Sequence, residues 1–239
     1  MIEHPGADLF DIDNLRRQAD AGSLATGRSH AVFFKHQGQS LVLKHYQRGG
    51  GMAALLGDKY VGGNCERSRS FREWRLLQAM RDLGLPVPVP VAACCVQHGL
   101  FNRADLVTVQ IDDVITLAEH LLQHACERDT WTAIGRCIRR FHDAGVYHAD
   151  LNARNILLDP DNRENDNRDI HLIDFDKGAF RYLGDSWKVA NLARLQRSLL
   201  KFKSLHQGFN FDSDDWNALL AGYKDSGEGR GTRNYRRPA

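Results

Sequence analysis

The stretch that most restricts how this chain can fold is VYHADLNARNILLD, residues 146–159. His148, Asp150, Asn152, Arg154 and Asn155 stand between an amphipathic segment and a short apolar run. Upstream, WTAIGRCIRRFHDAG carries Trp131, Ile134, Ile138 and Phe141 at helical spacing, and Gly145 is placed to end that helix. Downstream, NILLD and DIHLIDFD read as short strands joined by the polar loop PDNRENDNR. Strand ends are rigid, so a polar loop between helix and hairpin can hold side chains against a cleft. Asp150 and Asn155 occupy the two ends of that loop, and Asp174 returns beside them on the second strand.

The spacing H-x-D-x-x-x-x-N, followed by a D-F-G-like IDFD, is the arrangement used for phosphoryl transfer by a kinase catalytic core. One carboxylate receives the proton of the attacking hydroxyl, a second holds a metal ion, and a neutral oxygen ligand completes the set. The plainer alternative makes these residues caps and turns on a polar loop. The helix before the loop and the hairpin after it make the chemical reading the stronger one. Arg154 or Lys177 could direct charge toward phosphates or an anionic substrate.

A nucleotide site also needs a cation and its partner. LVLKHY places Lys44 in an apolar strand, where an unpaired ammonium is costly. Glu73 shares a helical face with Leu76, Leu77 and Met80, so it points inward with them. Lys44 and Glu73 are thus expected to pair and hold the α- and β-phosphates. The alternatives are a snorkelling lysine at a sheet edge and a surface glutamate beside Arg69 and Arg72. Ahead of the strands, GSLATGRSHAVFF is the candidate phosphate-covering turn, with backbone donors at Gly27, Arg28 and Ser29. An ordinary hairpin turn remains the other reading.

The remaining pattern is strand-rich with one helix in the first half and mostly helical in the second. AVFFKHQGQSLVLKHY is expected to form two strands around Gly38, and SFREWRLLQAMRDLG a helix ended by Gly84. ADLVTVQI reads as a strand, TLAEHLLQ as a helix after Thr116, and WKVANLARLQRSLLKF as a helix with a stripe of Leu192, Leu195, Leu199 and Phe202. Residues 1–20 read as a peripheral arm, and the tail from about 225 to 239 as mobile. With 42% hydrophobic and 26% charged residues the chain is an ordinary globular one. No run is long enough to span a membrane, and the acidic N-terminus is expected to carry no secretory leader. Its five cysteines contain no C-x-x-C pair, and their odd number favours buried reduced thiols in a cytoplasmic protein.

The segments LVLKHYQRGG, LLGDKY, FREWRLL, GLPVPVPVAA, IRRFHDAGVYHADLNARNILLD, HLIDFDKG and NLARLQRSLLKF together resemble the 3-deoxy-D-manno-octulosonic acid (Kdo) kinases of the lipopolysaccharide core kinase family. They span most of residues 26–203 in order. The resemblance implies an α+β, protein-kinase-like fold in two lobes, a strand-rich N-lobe of residues 1–111 and a mainly helical C-lobe of residues 112–239. It implies ATP- and Mg2+-dependent phosphorylation of the 4-hydroxyl of Kdo on a lipid A precursor. Asp150 would be the base, Asn155 and Asp174 the metal ligands, and Lys44 with Glu73 the nucleotide pair. The enzyme would work at the cytoplasmic face of an anionic inner membrane.

The connection between Lys44 and Glu73 is long, at 28 residues. From 44 to 75 seven basic residues, Lys44, Arg48, Lys59, Arg67, Arg69, Arg72 and Arg75, face three acids, Asp58, Glu66 and Glu73. The insertion 48–69, with Met52, Leu55 and Leu56, could meet an anionic lipid surface, or be merely a solvated loop. A second basic face of Lys188, Arg194, Arg197 and Lys201 reads as solvated. A protein kinase or another small-molecule kinase of this fold is the alternative function. Only 65 residues follow Asp174, and no A-P-E-like segment is among them, which argues against a protein substrate. Ala149 replaces the arginine of the common H-R-D triplet, which points to an enzyme without activation-loop control. The short basic tail lacks the aromatic interleaving of a nucleic-acid binder.

Overall fold

The computed structural model describes residues 7–11, 15, 30–46, 65–98, 101–160, 170–181 and 184–225. Four strands form an antiparallel sheet in the order β1-β2-β4-β3: β1 His30–His36, β2 Gln39–Tyr46, β3 Pro90–His98 and β4 Phe101–Val109. Gln37 and Gly38, both at positive φ, close the two-residue hairpin between β1 and β2, the conformation that matches strand twist. Alternation then sorts β2 into two faces. Leu41 and Leu43 enter a small core with Val32, Phe34 and Val107. Lys44 and Tyr46 face the other way, toward helix α1, Arg69–Asp82.

The oxygen of Ser68 accepts from Phe71 N and caps α1, which ends before Gly84 at φ +68. Its inward stripe of Leu76, Leu77 and Met80 joins the larger core, and Glu73 lies on the same face. Much of the rest of that core is helical. It contains α2 Leu117–Gln123, opened by a Thr116/Glu119 capping box, and α3 Arg128–Asp143, ended before Gly145 at φ +76. It also contains α4 Ser186–Leu205 and α5 Ser213–Lys224. Helices α3 and α5 approach through glycine: a Cβ on Gly222 would lie 2.0 Å from Thr132 O, and one on Gly135 2.0 Å from Leu219 O.

Short strands carry the loops between these helices. They are β5 Ile115–Thr116, β6 Val146–Tyr147, β7 Ile156–Leu158, β8 His171–Leu172 and β9 Ala179–Phe180. Strand β7 pairs with β5 and β8, and β6 pairs with β9.

Three expectations need correction. Part of the N-terminal arm is packed: Leu9 and Leu15 are buried in the small core, and Arg103 holds the Phe10 carbonyl to the sheet while also binding Asp105. Two elements were not anticipated. Strand β3 follows a proline-rich run that reads as a connector, and α5 begins at a capping box of Asp212 and Asp215. Cysteine parity also misled: Cys65 and Cys95 are paired, with Cα atoms 5.6 Å apart, tying the start of α1 to β3. Cys94, Cys126 and Cys137 are free, and burial pushes the Cys137 thiol up to about 12.

Candidate active site

The cation of the site comes from the sheet. Lys44 Nζ lies 3.0 and 2.9 Å from the two oxygens of Glu73 on α1, and 2.5 Å from Asp174 Oδ1. Residues 29 and 130 positions apart thus share one ammonium. Burial pushes Lys44 down, but the two carboxylates outweigh it and the net direction is up, so Lys44 stays charged. Burial is also the largest influence on Glu73, raising it against the opposing pull of Lys44 and Tyr46. Glu73 is satisfied on all sides: Tyr46 Oη donates to Oε2 at 2.5 Å, and Phe175 N to Oε1 at 3.2 Å. Burial, then Glu73, holds the Tyr46 hydroxyl in its protonated, donating form.

Asp174 sits at φ +64, a strained conformation for an aspartate. Phe175 beside it is buried, stacked on Phe141 and packed against His148. Gly178 lets the following turn lie on α1, since a Cβ there would meet Phe175 O at 2.8 Å and Leu76 at 2.9 Å. Asp176 is held by the guanidinium of Arg69, whose Nε is 2.9 Å from Oδ1, with a second bond to Oδ2. Burial alone would raise Asp176, but the bonds and charge of Arg69 bring its carboxyl below the usual range. Arg69 also lies over the Tyr46 ring, 5.2 Å from its centre.

The loop from His148 to Asn155 is fastened to this aspartate segment from two sides. His148 Nε2 lies 2.9 Å from the Ile173 carbonyl, and Ile173 N donates to the Asn155 carbonyl at 3.1 Å. His148 Nδ1 accepts from Asp150 N at 3.1 Å, so the ring is neutral with its proton on Nε2. Burial drives its pKa down in agreement with that tautomer. Asn155 Nδ2 donates to the Asp150 carbonyl at 2.9 Å, which leaves its side-chain oxygen as the accepting end. The Asp150 carboxylate is gripped at each oxygen, by Asn152 Nδ2 at 3.1 Å and by Arg194 Nη1 at 3.2 Å.

The structure therefore brings together Lys44, Glu73 and Asp174, and sets Asp150 and Asn155 on the loop bonded to Ile173. Gly27, Arg28 and Ser29 lie outside the described residues, as do most of the insertion 48–69 and the tail after Asp225. Of the insertion's basic residues, Arg69 is paired with Asp176, although its side chain stays 41% exposed. The sequence reading missed four contributors. Tyr46 is two positions from Lys44 on the same strand face, a signal that alternation could have supplied. Asn191 is a polar residue among the inward positions of α4. Arg69 as the partner of Asp176 and Arg194 as the partner of Asp150 carry no local signal. Arg194 belonged to the face expected to be only solvated.

The donor set suits a hard cation such as Mg2+, because Asn155 and Asp174 offer oxygen ligands on adjoining backbone. Among the described residues no group of three or more His, Cys, Asp or Glu is gathered in the manner of a metal site built by the protein alone.

A family model described as "Lipopolysaccharide kinase (Kdo/WaaP) family" matches residues 14–223. A protein named 3-deoxy-D-manno-octulosonic acid kinase from Xanthomonas campestris pv. campestris (strain B100) is 40% identical over 222 residues, covering 87% of this chain and 86% of the relative. One of the same name from Photobacterium profundum is 38% identical, covering 93% and 90%. One from Xylella fastidiosa (strain 9a5c) is 41% identical over 211 residues, covering 83% and 82%. Among solved structures, "WaaP in complex with acyl carrier protein" superposes with a TM-score of 0.58 at 16% identity, over 88% of this chain and 80% of that one. The fold is accordingly α+β and kinase-like.

Proposed function

Because the chain belongs to the lipopolysaccharide kinase (Kdo/WaaP) family, we propose that it is a phosphotransferase moving the γ-phosphoryl group of ATP to the 4-hydroxyl of Kdo on a lipid A precursor. The observation that carries this reading is the convergence of Lys44, Glu73 and Asp174, with Asp150 presented on the loop bonded to Ile173. The names of the relatives supply the sugar, Kdo; the 4-hydroxyl and the lipid A precursor are what the family resemblance implies.

In this mechanism the acceptor hydroxyl oxygen attacks the γ-phosphorus. Its proton passes to Asp150, and the bond from phosphorus to the bridging oxygen breaks with its electron pair leaving on ADP. Asn152 and Arg194 fix the two oxygens of Asp150, so the carboxylate meets the hydroxyl in one orientation. Lys44 orients the α- and β-phosphates while Glu73 keeps it in place. Asn155 and Asp174 would hold Mg2+, which when bound neutralises phosphate charge. Arg69 and Asp176 lock α1 to the segment that carries Asp174. The two-lobe division at about residue 111 puts ATP between the β1–β4 sheet and the helical part.

The acceptor is lipid-borne, so the enzyme is placed at the cytoplasmic face of an anionic membrane. No helix among the described residues is long and apolar enough to cross one. The basic residues Arg48, Lys59 and Arg67 of the insertion are the proposed contacts, each worth about 1 kcal/mol near an anionic surface.

The test is phosphoryl transfer from ATP with Mg2+ to a Kdo-bearing lipid A precursor, to free Kdo and to a generic protein. Transfer to the lipid-borne sugar should be fastest. Phosphorylated protein with untouched Kdo would overturn the reading in favour of a protein kinase.

A further inference from the structure

One face of α4 runs along the catalytic loop. Asn191 bonds His148, Arg194 bonds Asp150 and Ser198 Oγ accepts from Ala153 N at 3.3 Å. Asn191 and Ser198 bond backbone groups and hold the loop in place. Arg194 does something different. It meets the side chain of the proposed base, its own side chain is 46% exposed, and that of Asp150 is 59% exposed. Asp150 Oδ1 is the contact the described residues give it, and a guanidinium has five N–H donors. The helix itself is basic: Ser186–Leu205 contains Lys188, Arg194, Arg197, Lys201 and Lys203 and no acidic residue, although Lys188 is paired with Asp185 at the N-cap.

A cation against a general base is a poor arrangement for a neutral sugar alcohol, because it stabilises the carboxylate that must take the proton. It is a good arrangement for an acidic sugar. An acceptor carrying its own carboxylate must be brought beside Asp150 and the triphosphate, all negative, and its charge needs a partner there. In Kdo the carboxylate is borne two ring carbons from the reacting hydroxyl. A guanidinium fork can keep one edge on Asp150 and offer the other to that group.

Building on the proposed Kdo acceptor, we propose that Arg194 is the acceptor-recognition residue. It receives the carboxylate of the sugar acid and so aligns the neighbouring hydroxyl with Asp150. Lysine cannot replace it fully, because a single ammonium lacks the two-edged geometry.

The experiment compares the lipid-borne Kdo acceptor with its carboxyl methyl ester, in the wild type, Arg194→Gln and Arg194→Lys. The wild type should prefer the acid by about 10- to 100-fold in kcat/KM, the range of a charge-assisted hydrogen bond. Arg194→Gln should lose most of that factor on the acid and much less on the ester, Arg194→Lys should fall between, and the KM for ATP should hold in all three. Equal losses on acid and ester would overturn the proposal and leave Arg194 as a positioning residue for Asp150. A wild type that uses ATP yet phosphorylates neither Kdo acceptor would instead overturn the function proposed above, and this inference with it.

Discussion

Asn191 and His148 exchange two hydrogen bonds: His148 N donates to Asn191 Oδ1 at 3.2 Å, and Asn191 Nδ2 donates to the His148 carbonyl at 2.9 Å. Both residues are buried. One amide thus satisfies both backbone groups of the residue that opens the loop 148–155, and ties that loop to α4.

Replacing Asn191 with alanine leaves a buried N–H and a buried carbonyl without partners. The expected cost is about 2–4 kcal/mol in urea denaturation, with a fall in kcat and little change in the KM for ATP. Asn191→Asp would bury an ionised carboxylate facing the His148 carbonyl, so it should cost at least as much as the alanine. Unchanged stability in Asn191→Ala would mean that water replaces the amide.

The proposed base and the proposed metal ligand should separate by kinetics. Asp150→Ala should lower turnover by about two orders of magnitude or more with ATP binding nearly intact. Isothermal titration with a non-hydrolysable ATP analogue, beside a turnover assay, checks the pair of statements. Turnover near that of the wild type would remove Asp150 from the mechanism.

The two aspartates of the DFD segment have different partners, and their variants should behave differently. Asp174→Asn should weaken Mg2+-dependent use of ATP far more than Asp176→Asn, because Asp174 shares Lys44 and borders Asn155. Asp176→Asn should act mainly by loosening α1, and Arg69→Gln should reproduce it. A titration of activity against Mg2+ distinguishes them; the reverse ranking would put the metal at Asp176.

Gly222 is a packing requirement and Gly84 a conformational one. A Cβ at Gly222 would stand 2.0 Å from a backbone oxygen of α3, so Gly222→Ala forces two helices apart at about 3 kcal/mol or more. Gly84, at φ +68 with nothing near its missing Cβ, should cost only about 1 kcal/mol as alanine. Denaturant midpoints of the two variants give the comparison directly.

Stability should fall on mild acidification. Burial pushes His142 down to about 4; Asn191 and Asp143 oppose this, Lys188 and Arg139 add to it, and Tyr223 Oη lies 2.7 Å from Nδ1. In the unfolded chain the same ring takes its proton near pH 6.5. Between those values the unfolded state binds more protons, so the stabilisation is full above about 6.5 and is lost as pH falls toward about 4. The whole effect is on the order of 3 kcal/mol. His148 is shifted in the same direction and adds to it. Urea midpoints at several pH values should show this slope, and His142→Gln should flatten it. An equal slope in that variant would assign the effect to other groups.

Much of the site was legible because its signals are local. The spacing from His148 to Asn155 fixes which side chains share a loop, and helical period puts Glu73 beside Leu76 and Met80. Gly38, Gly84 and Gly145 mark chain reversals by their need for positive φ. Even the long-range pair of Lys44 and Glu73 could be inferred, since a buried cation and a buried acid each need the other. What only the tertiary structure decided is the pairing of groups that would be tolerable alone in water. Arg69 could have remained solvated, and so could Arg194 and Asp176. No local energy tells an exposed arginine that its carboxylate lies 107 or 44 positions away. Those choices follow from how α1 and α4 settle against the core. The same packing holds Leu9 to the sheet, makes an edge strand of a proline-led run at Pro90, and brings Cys65 to Cys95. Periodicity determines which face of an element is buried; only the packed whole determines which neighbour that face meets.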